Sequence, residues 1–317
     1  MTNAIELNNV TKRFGKQTAV DCINLVVPTG SIYGFIGPNG SGKTTTLRMI
    51  LRIFQPDDGT VNVLGQLDGK TADNRLGYLP EERGLYKRMR VRDVLTYYAR
   101  LKGFYECRSE IDHWLDRLGA TKWANKKVDA LSKGMAQKIQ FISAVVAKPK
   151  LVILDEPFSG LDPVNLESLR DAVLSLRERG TTIVFSTHDM EMAEKMCDTI
   201  FMIFNGKKVL DGTLHSIQSY YPANEIRVRI EHFPADGSIN QHGEPPVPEL
   251  VGISDIRFDG RYHRFRMEDP NRIQEILCQL SSHRTVSHFE VVKPSLHDIF
   301  VQIAGPAAEE EQLTPTD

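Results

Sequence analysis

The sequence predicts an α/β domain with a largely parallel sheet, followed by a smaller α+β domain. Three observations support this. Strand-sized apolar runs alternate with segments of helical periodicity through the first two thirds of the chain. A glycine-rich loop lies between one such run and a helix. The pattern then changes near Ser219, and 317 residues at about 150 per domain are enough for two domains.

The first third of the chain begins with strands. Alternating apolar residues predict one strand over Ile5 to Phe14 and a second over Asn24 to Val27. A third, 31–36, is a compact apolar run that stops at the glycine-rich loop. After the loop, apolar residues on one face predict a helix over Thr44 to Phe54, which the turn 56–59 ends.

The middle of the chain is predicted to be helical and then alternating. Helices are expected at Val91 to Lys102, at Glu110 to Leu118 and from Ala136 to about Ala147, which defines a helical subdomain at about 82–147. The alternating elements that follow are the strands 151–154, 181–186 and 199–204 and the helices 164–179 and 190–196. Such alternation is typical of parallel sheets.

Residues 219–305 are predicted to form the second domain. It contains strand-like segments at 225–231, 253–258, 262–267 and 288–293, a helix at 271–280, and an irregular proline-rich loop at Gly243 to Pro248. The segment 306–317 is acidic and poor in apolar residues, which predicts a disordered tail.

Composition excludes several classes of protein. The chain has 39 Lys and Arg against 41 Asp and Glu, a net charge of −2, so it lacks the basic excess of a nucleic-acid coat protein. Its four cysteines form no C-x-x-C pair, which favours free thiols in a reducing cytosol. Its first residues, MTNAIELNNVTKRF, contain no apolar h-region, so we expect no secretory signal, and no apolar run approaches the ~20 residues that cross a bilayer. We therefore expect any membrane action to require a partner.

The glycine-rich loop matches G-x-x-x-x-G-K-[ST] in full. It consists of Gly37, Pro38, Asn39, Gly40, Ser41, Gly42, Lys43 and Thr44. Between a strand and a helix, this pattern predicts a P-loop, in which backbone N–H groups and the helix N-terminus surround phosphate. Lys43 would add a positive charge, and the Thr44 hydroxyl could bind Mg²⁺.

Two acidic residues follow the apolar strand at 151–154. In a P-loop fold, Asp155 would hold the Mg²⁺ shell and Glu156 would polarise an attacking water. A strand followed by Asp-Glu is otherwise an ordinary solvated strand end, so this interpretation depends on the loop upstream.

Three further residues are weaker candidates. Ser132 begins a helix and predicts a second anion-binding end, although an ordinary N-cap serine would look the same. His188 follows a strand and could donate a hydrogen bond to a γ-phosphate, whereas most lone histidines are structural. Phe14 could stack on a base or could be an ordinary packing aromatic.

The order of these motifs resembles the ATP-binding cassette (ABC) family over roughly residues 3–218. The resemblance implies Walker A at Gly37–Thr44, followed by Thr45, and Walker B at Leu151–Asp155 with Glu156 as the catalytic carboxylate. It implies the signature at 131–135, the D-loop at 159–162, His188 as the switch histidine and Phe14 as the adenine-stacking aromatic. ATP and Mg²⁺ are the implied cofactors, with Thr44, Asp155 and Glu81 as metal ligands.

The chain departs from the family pattern at two motifs. The signature reads LSKGM instead of LSGGQ, which keeps Ser132 and Gly134 but introduces Lys133 and Met135. Glu81 stands where the Q-loop glutamine is expected. LPEERGLY, LSKGM and the C-terminal domain together look like the Nat-type sodium extrusion and ABC-2-type drug export ATPases.

The resemblance implies a head-to-tail homodimer that encloses two ATP molecules and drives a separate ABC-2-type permease from the cytoplasmic face of the membrane. The permease would dock around Glu82 to Tyr98, with Arg83, Leu85 and Tyr86 as contacts. The alternative is a non-transport ABC ATPase acting on nucleic acid or ribosomes, which predicts paired cassettes, a long insertion or a basic excess. A third hypothesis, an interaction module with a decayed site, conflicts with the intact motifs.

Overall fold

The structure is a computed structural model that describes residues 3–67, 74–82, 84–221, 223–231, 250–283 and 285–313. Contacts divide the chain into one unit of residues 1–214 and another of residues 215–317. The domain boundary predicted at 218/219 lies within the helix Leu214–Ser219.

The first unit contains ten strands and six helices in the described ranges. In chain order they are β1 Asn3–Phe14, β2 Gln17–Pro28, β3 Ile32–Ile36, α1 Lys43–Ile50, β4 Asp58–Val63, β5 Gln66–Leu67, β6 Leu76–Leu79, α2 Val91–Leu101, α3 Arg108–Arg117, α4 Lys133–Val145, β7 Leu151–Asp155, α5 Pro163–Glu178, β8 Thr182–Thr187, α6 Met190–Met196, β9 Thr199–Phe204 and β10 Lys207–Gly212.

These strands form two sheets. The antiparallel sheet has the order β2-β1-β4-β5, and the larger sheet has the order β10-β9-β3-β8-β7-β6. In the larger sheet, β9, β3, β8, β7 and β6 are parallel, and β10 pairs with β9 antiparallel. The predicted α/β fold is therefore confirmed, and its strands are buried because both faces of a parallel sheet are covered.

Each face of the larger sheet has its own apolar core. One core joins this sheet to the antiparallel sheet and α1, through residues such as Ile5, Phe35 and Phe201. The other joins the opposite face to α2–α5, through residues such as Trp114 and Phe141. The α4 helix is buried over most of its length because it lies between the sheet and the other helices.

The second unit contains an antiparallel sheet with helices. Its elements are α7 Leu214–Ser219, β11 Glu225–Glu231, β12 Ile253–Phe258, β13 His263–Met267, α8 Ile273–His283, β14 Thr285–Val292 and α9 Leu296–Leu313. The sheet order is β12-β13-β11-β14, and Phe265, Ile276 and Leu280 are part of a separate core.

The structure corrects one prediction about this region. Residues 307–313, expected to be a disordered tail, continue helix α9 to Leu313, and 314–317 lie outside the described residues. The expected proline-rich loop at 243–248 also lies outside the described residues. No helix in the described ranges combines bilayer-crossing length with a sufficiently apolar sequence.

Candidate functional site

The predicted site residues meet at the carboxyl edge of the parallel strands. The loop 37–42 connects the end of β3 to the start of α1, and Asp155 is the last residue of β7. The parallel register places Asp155 beside Ser186 of β8, and Ile36 beside Thr187. Three neighbouring strands therefore present their terminal residues at one place.

Glycine is required in the loop after β3. Gly40 has φ 79° and Gly42 has φ 110°, which are left-handed conformations that side chains disfavour. A Cβ on Gly42 would also lie 2.5 Å from the carbonyl oxygen of Ala19. No side chain caps the following helix, so the first backbone N–H groups of α1 remain available to an anion.

Lys43 is the buried cation of this loop. Its Nζ donates to the carbonyl oxygens of Gly37 at 2.7 Å and Pro38 at 3.0 Å. Burial lowers the pKa of Lys43, and the carboxylates of Glu156, Asp155 and Glu81 oppose that shift. The ammonium group is thus held against the loop backbone and surrounded by acidic side chains.

A cavity of about 230 Å³ adjoins the loop. Ala19 and eight predicted site residues line it: Asn39, Gly40, Gly42, Lys43, Thr44, Thr45, Glu81 and Glu156. Gly37 and Pro38 support it through their bonds to Lys43. The buried hydroxyl of Ser41 has no hydrogen-bond partner within the described residues. Because buried polar atoms are normally paired, this hydroxyl is available to a ligand.

Ser186 contacts both acidic residues, the side chain of Asp155 and the backbone of Glu156. The Ser186 hydroxyl donates to Oδ1 of Asp155, and it accepts the backbone N–H of Glu156 at 3.1 Å. Oγ1 of Thr44 also reaches Oδ1 of Asp155, at 3.5 Å. Oε1 of Glu156 lies 2.9 Å from Nδ1 of His188. The site therefore joins Asp155 to Thr44 and Glu156 to His188.

The structure leaves three predicted residues outside this cluster. Ser132 caps α4 by accepting the N–H of Met135 at 3.3 Å, is exposed, and does not line the cavity. Gly134 lies against the side chain of Asn165 at the start of α5. Phe14 is 46% exposed and packs edge-to-face on Phe54 with ring centres 5.5 Å apart.

Sequence reasoning missed two residues that organise the site. Ser186 could have been found from the parallel register, since the residue opposite Asp155 on the next strand must approach it. Gln140 of α4 donates to the carbonyl oxygens of Pro80 and Glu82, both at 3.1 Å, and so fixes the segment that carries Glu81. A buried glutamine in a helical apolar pattern was its only signal.

The donor set fits a hydrated, phosphate-bound cation better than a metal held by protein alone. Within the described part of the chain, no group of three or more His, Cys, Asp or Glu side chains is arranged to hold a metal. Thr44 and Asp155 supply hard oxygen atoms, the type that Mg²⁺ prefers when phosphates complete its shell.

Family models match both units. The model described as "ABC transporter" matches residues 20–159, which include both carboxylates and the whole glycine-rich loop. The model described as "ATP-binding protein DrrA1-3-like, C-terminal domain" matches residues 212–304.

Individual relatives agree with these matches. The chain is 42% identical over 307 residues to the uncharacterized ABC transporter ATP-binding protein YhaQ of Bacillus subtilis (strain 168), covering 96% of this chain and 100% of YhaQ. It is 28% identical to the daunorubicin/doxorubicin resistance ATP-binding protein DrrA of Streptomyces peucetius, covering 98% and 94% of the two chains.

A solved structure, an ATP-binding subunit of an ABC transporter, superimposes with a TM-score of 0.65 at 29% identity. The match covers 69% of this chain and 93% of that one. The glycine-rich loop, the adjoining carboxylates and a full-length relative at 42% identity together identify the chain as a member of the ABC transporter family, an ATPase subunit with a DrrA-like C-terminal domain.

Proposed function

We propose that this protein is the ATP-hydrolysing subunit of an ABC-2-type exporter. It would act as a homodimer on the cytoplasmic face of the membrane, bound to a separate permease. The observation that carries the proposal is the cavity in which Lys43, Thr44, Glu81 and Glu156 meet, with Asp155 directly behind Thr44. In P-loop NTPases, the loop backbone and its lysine hold the phosphates, and a Ser or Thr hydroxyl and an Asp hold Mg²⁺.

The loop from Gly37 to Thr45 would hold the phosphates of ATP. Its glycines allow the backbone N–H groups to converge, and α1 contributes the positive end of its dipole. Lys43 would exchange its bonds to the loop carbonyls for phosphate oxygens. The unpartnered hydroxyl of Ser41 supports the same assignment, because a buried hydroxyl is normally paired.

Thr44 and Asp155 would bind Mg²⁺, with Glu81 as a third oxygen ligand. Thr44 and Asp155 already lie within 3.5 Å of each other, and Glu81 lines the same cavity. When bound, Mg²⁺ neutralises charge on the transferring phosphoryl group. Glu81 is negative where a glutamine would be neutral, so it would add charge to the metal shell.

Glu156 would act as the base that positions the attacking water, and His188 would orient it. The backbone of Glu156 is held by Ser186, and its carboxylate by His188. Both restraints reduce the motion of the carboxylate, which favours proton transfer at a fixed position. His188 is 57% exposed at its side chain, so it also remains free to contact the γ-phosphate.

The signature residues Ser132 and Gly134 would complete the site of a second copy. They lie outside the cavity of their own chain, at the exposed start of α4. The N-terminus of this 13-residue helix can stabilise an anion. A head-to-tail pair would bring each helix start to the partner's phosphates. Phe14 would stack on adenine from the exposed end of β1.

Three tyrosines support a permease contact in the region predicted for docking. Tyr86, Tyr97 and Tyr98 pack on one another, with ring centres 5.4 to 6.2 Å apart. Tyr86 is 51% exposed, whereas Leu85 packs against the helical core and is a poorer candidate. Arg83, also predicted, lies outside the described residues.

A test of the site uses Glu156→Gln with Glu178→Gln as its charge-matched control. The amide keeps the size of the side chain but cannot take a proton. We expect phosphate release to fall about 100-fold or more, while a fluorescent ATP analogue still binds. Turnover close to that of the unaltered chain would remove Glu156 from the role of base.

The export proposal is tested by co-expressing the chain with a candidate ABC-2-type permease. The similarity to DrrA over nearly the whole chain favours an organic, drug-like substrate over sodium. Co-purification from membranes and raised tolerance to daunorubicin, lost in the Glu156→Gln form, would support it. Recovery of the chain only with ribosomes or nucleic acid would favour the non-transport alternative.

A further inference from the structure

A second cavity lies at the opposite edge of the parallel sheet from the glycine-rich loop. We call it the rear cavity. It has a volume of about 550 Å³, within the range typical of small-molecule sites. The loops that enter β3, β7 and β8 border it, together with α3 and the ends of α4 and α5. The lining residues include Leu64, Glu110, Trp114, Val145, Lys150 and Arg179.

The walls of the rear cavity are largely apolar, and positively charged side chains outnumber negatively charged ones. Lys148, Lys150 and Arg179 contribute three positive charges, against the single carboxylate of Glu110. Glu110 is 12% exposed at its side chain and already has two partners, Lys148 Nζ at 3.0 Å and Arg179 Nη1 at 3.9 Å. The cavity therefore has no carboxylate left for a cation.

Lys150 lies outside this ion-pair network. Lys150 is exposed to solvent and borders the rear cavity, and its ammonium group has no hydrogen bond or ion pair with another described residue. Helices α4 and α5 both end at the rear cavity. Each helix C-terminus carries about half a negative charge, so together they offset about one positive charge. The remaining field suits one negative charge and disfavours a polyphosphate.

Trp114 provides an unpaired donor. The residue is 1% exposed, and its Nε1 is buried with no hydrogen-bond partner within the described residues. An indole N–H can only donate, so an acceptor is missing. The guanidinium of Arg179 lies 5.7 Å from the centre of the Trp114 ring and approaches Nε2 of His113 at 2.9 Å. The cation of Arg179 therefore lies against the Trp114 ring.

From these groups, we propose that the rear cavity binds a small aromatic monocarboxylate. The carboxylate would accept from Lys150 and from the indole N–H of Trp114, and the flat ring would contact Leu64, Val145 and Leu176. An inorganic anion would leave the apolar walls uncovered, whereas a neutral aromatic would gain no ion pair with Lys150, whose ammonium group is otherwise hydrated because the residue is exposed. The proposal does not depend on the export function, because the site shares no lining residue with the cavity at the glycine-rich loop.

The test uses 4-fluorobenzoate on the full chain without nucleotide. In a Trp123→Phe chain, Trp114 is the one remaining tryptophan, so its fluorescence reports binding directly. Ligand-observed fluorine NMR on the unaltered chain provides a second measurement that needs no substitution. We expect 4-fluorobenzamide, which is neutral, and acetate, which has no ring, to bind at least about tenfold more weakly.

Variants of the lysine locate the site. Lys150→Gln should weaken 4-fluorobenzoate about tenfold, and Lys150→Arg should restore it. Lys122→Gln removes the same charge from another exposed position and should leave binding unchanged. Equal binding of the acid and the amide, equal losses in Lys150→Gln and Lys122→Gln, or no binding at millimolar probe would each overturn the proposal.

Discussion

Glu156 adopts a backbone conformation that few residues other than glycine accept. Its φ is 48°, and its N–H lies 3.2 Å from the carbonyl oxygen and 3.1 Å from the hydroxyl of Ser186. A non-glycine residue in this region costs of order 1 kcal/mol, and surrounding contacts must hold it there. Ser186 provides these contacts and turns the Glu156 side chain toward the cavity and His188.

Ser186→Ala tests this role. The change removes the donor to Asp155 and one acceptor of the Glu156 N–H, so both carboxylates lose a restraint. Leaving Asp155 underbonded should cost about 1–3 kcal/mol in the free energy of unfolding. ATP turnover should fall at least about tenfold, while ATP still binds, as measured by phosphate release and nucleotide titration.

The matched control for Ser186→Ala is Ser143→Ala. The Ser143 hydroxyl is also buried and donates to a backbone carbonyl, that of Gln140, but it touches neither carboxylate. This variant should lose stability without losing turnover. Equal turnover in the two variants would show that Ser186 has no part in positioning the carboxylates.

Motif residues were predictable from the sequence, but the residues that orient them were not. Lys43, Asp155 and Glu156 stand in patterns whose chemistry requires those residue types, so spacing alone identified them. Ser186 acts through the register of β7 and β8, which no local pattern encodes. Gln140 acts across a contact between α4 and the segment at 80–82, about 60 residues away in sequence.

At the scale of elements, β3 is fixed in place by a close contact with the residue that follows α6. Gly34 lies in the middle of β3, and a Cβ there would collide with Sγ of Cys197. Backbone bonds join the same segments, including Asp198 N to the carbonyl oxygen of Ile32 at 2.9 Å. The absence of a side chain at position 34 therefore lets α6 end close against the strand that leads into the glycine-rich loop.

We predict that Gly34→Ala destabilises the chain by about 1–3 kcal/mol through overpacking. The measurement is chemical denaturation of the purified protein. Gly84→Ala is the control, because a Cβ at that exposed position meets nothing within 4 Å. The double variant Gly34→Ala/Cys197→Ala should lose less stability than the two single variants lose together, because the sulfur that collides with the new Cβ is gone. Additive losses would contradict a steric origin.

Strands β4 and β6 were not predicted from the sequence. β6 contains Gly77, and a Cβ there would collide with the backbone carbonyl of Ala144 in α4. Glycine is thus required by helix packing, although it lowers strand propensity. β4 begins with Asp58 and Gly59 and is stabilised by pairing with β1. The strands buried on both faces, β3, β7 and β8, were predicted because their apolar runs are continuous.

At the scale of the molecule, each unit has its own apolar core. The two larger cores draw only on residues 1–214, and the core around Phe265 and Ile276 draws only on residues 215–317. A separate core is the main requirement for independent folding. The sequence shows a change of character near Ser219, and helix α7 spans that point.

We predict that a fragment of residues 1–214 folds and binds ATP with an affinity within about threefold of the full chain. The lining residues of the ATP cavity all lie in this fragment. Circular dichroism and nucleotide titration are the measurements, with Lys43→Ala in the same fragment as the control that should lose binding. A fragment that is unfolded, or that is folded but does not bind ATP, would contradict independence of the first unit.

The proposed homodimer predicts a doubling of the particle mass in solution. Each chain has the loop, Glu81 and Glu156 in one cavity and Ser132 outside it, so the proposed pairing would bring Ser132 of one chain to the ATP held by the other. The Glu156→Gln form with saturating ATP and Mg²⁺ should have twice the 35.8 kDa mass of one chain when measured by light scattering.

Adding Ser132→Arg should return the mass to that of one chain with ATP still bound. The bulky cation would block the partner's site without touching the ATP site of the chain that carries it. Ser132→Thr retains the capping hydroxyl and should stay dimeric. A single-chain mass for Glu156→Gln under these conditions would refute the paired site.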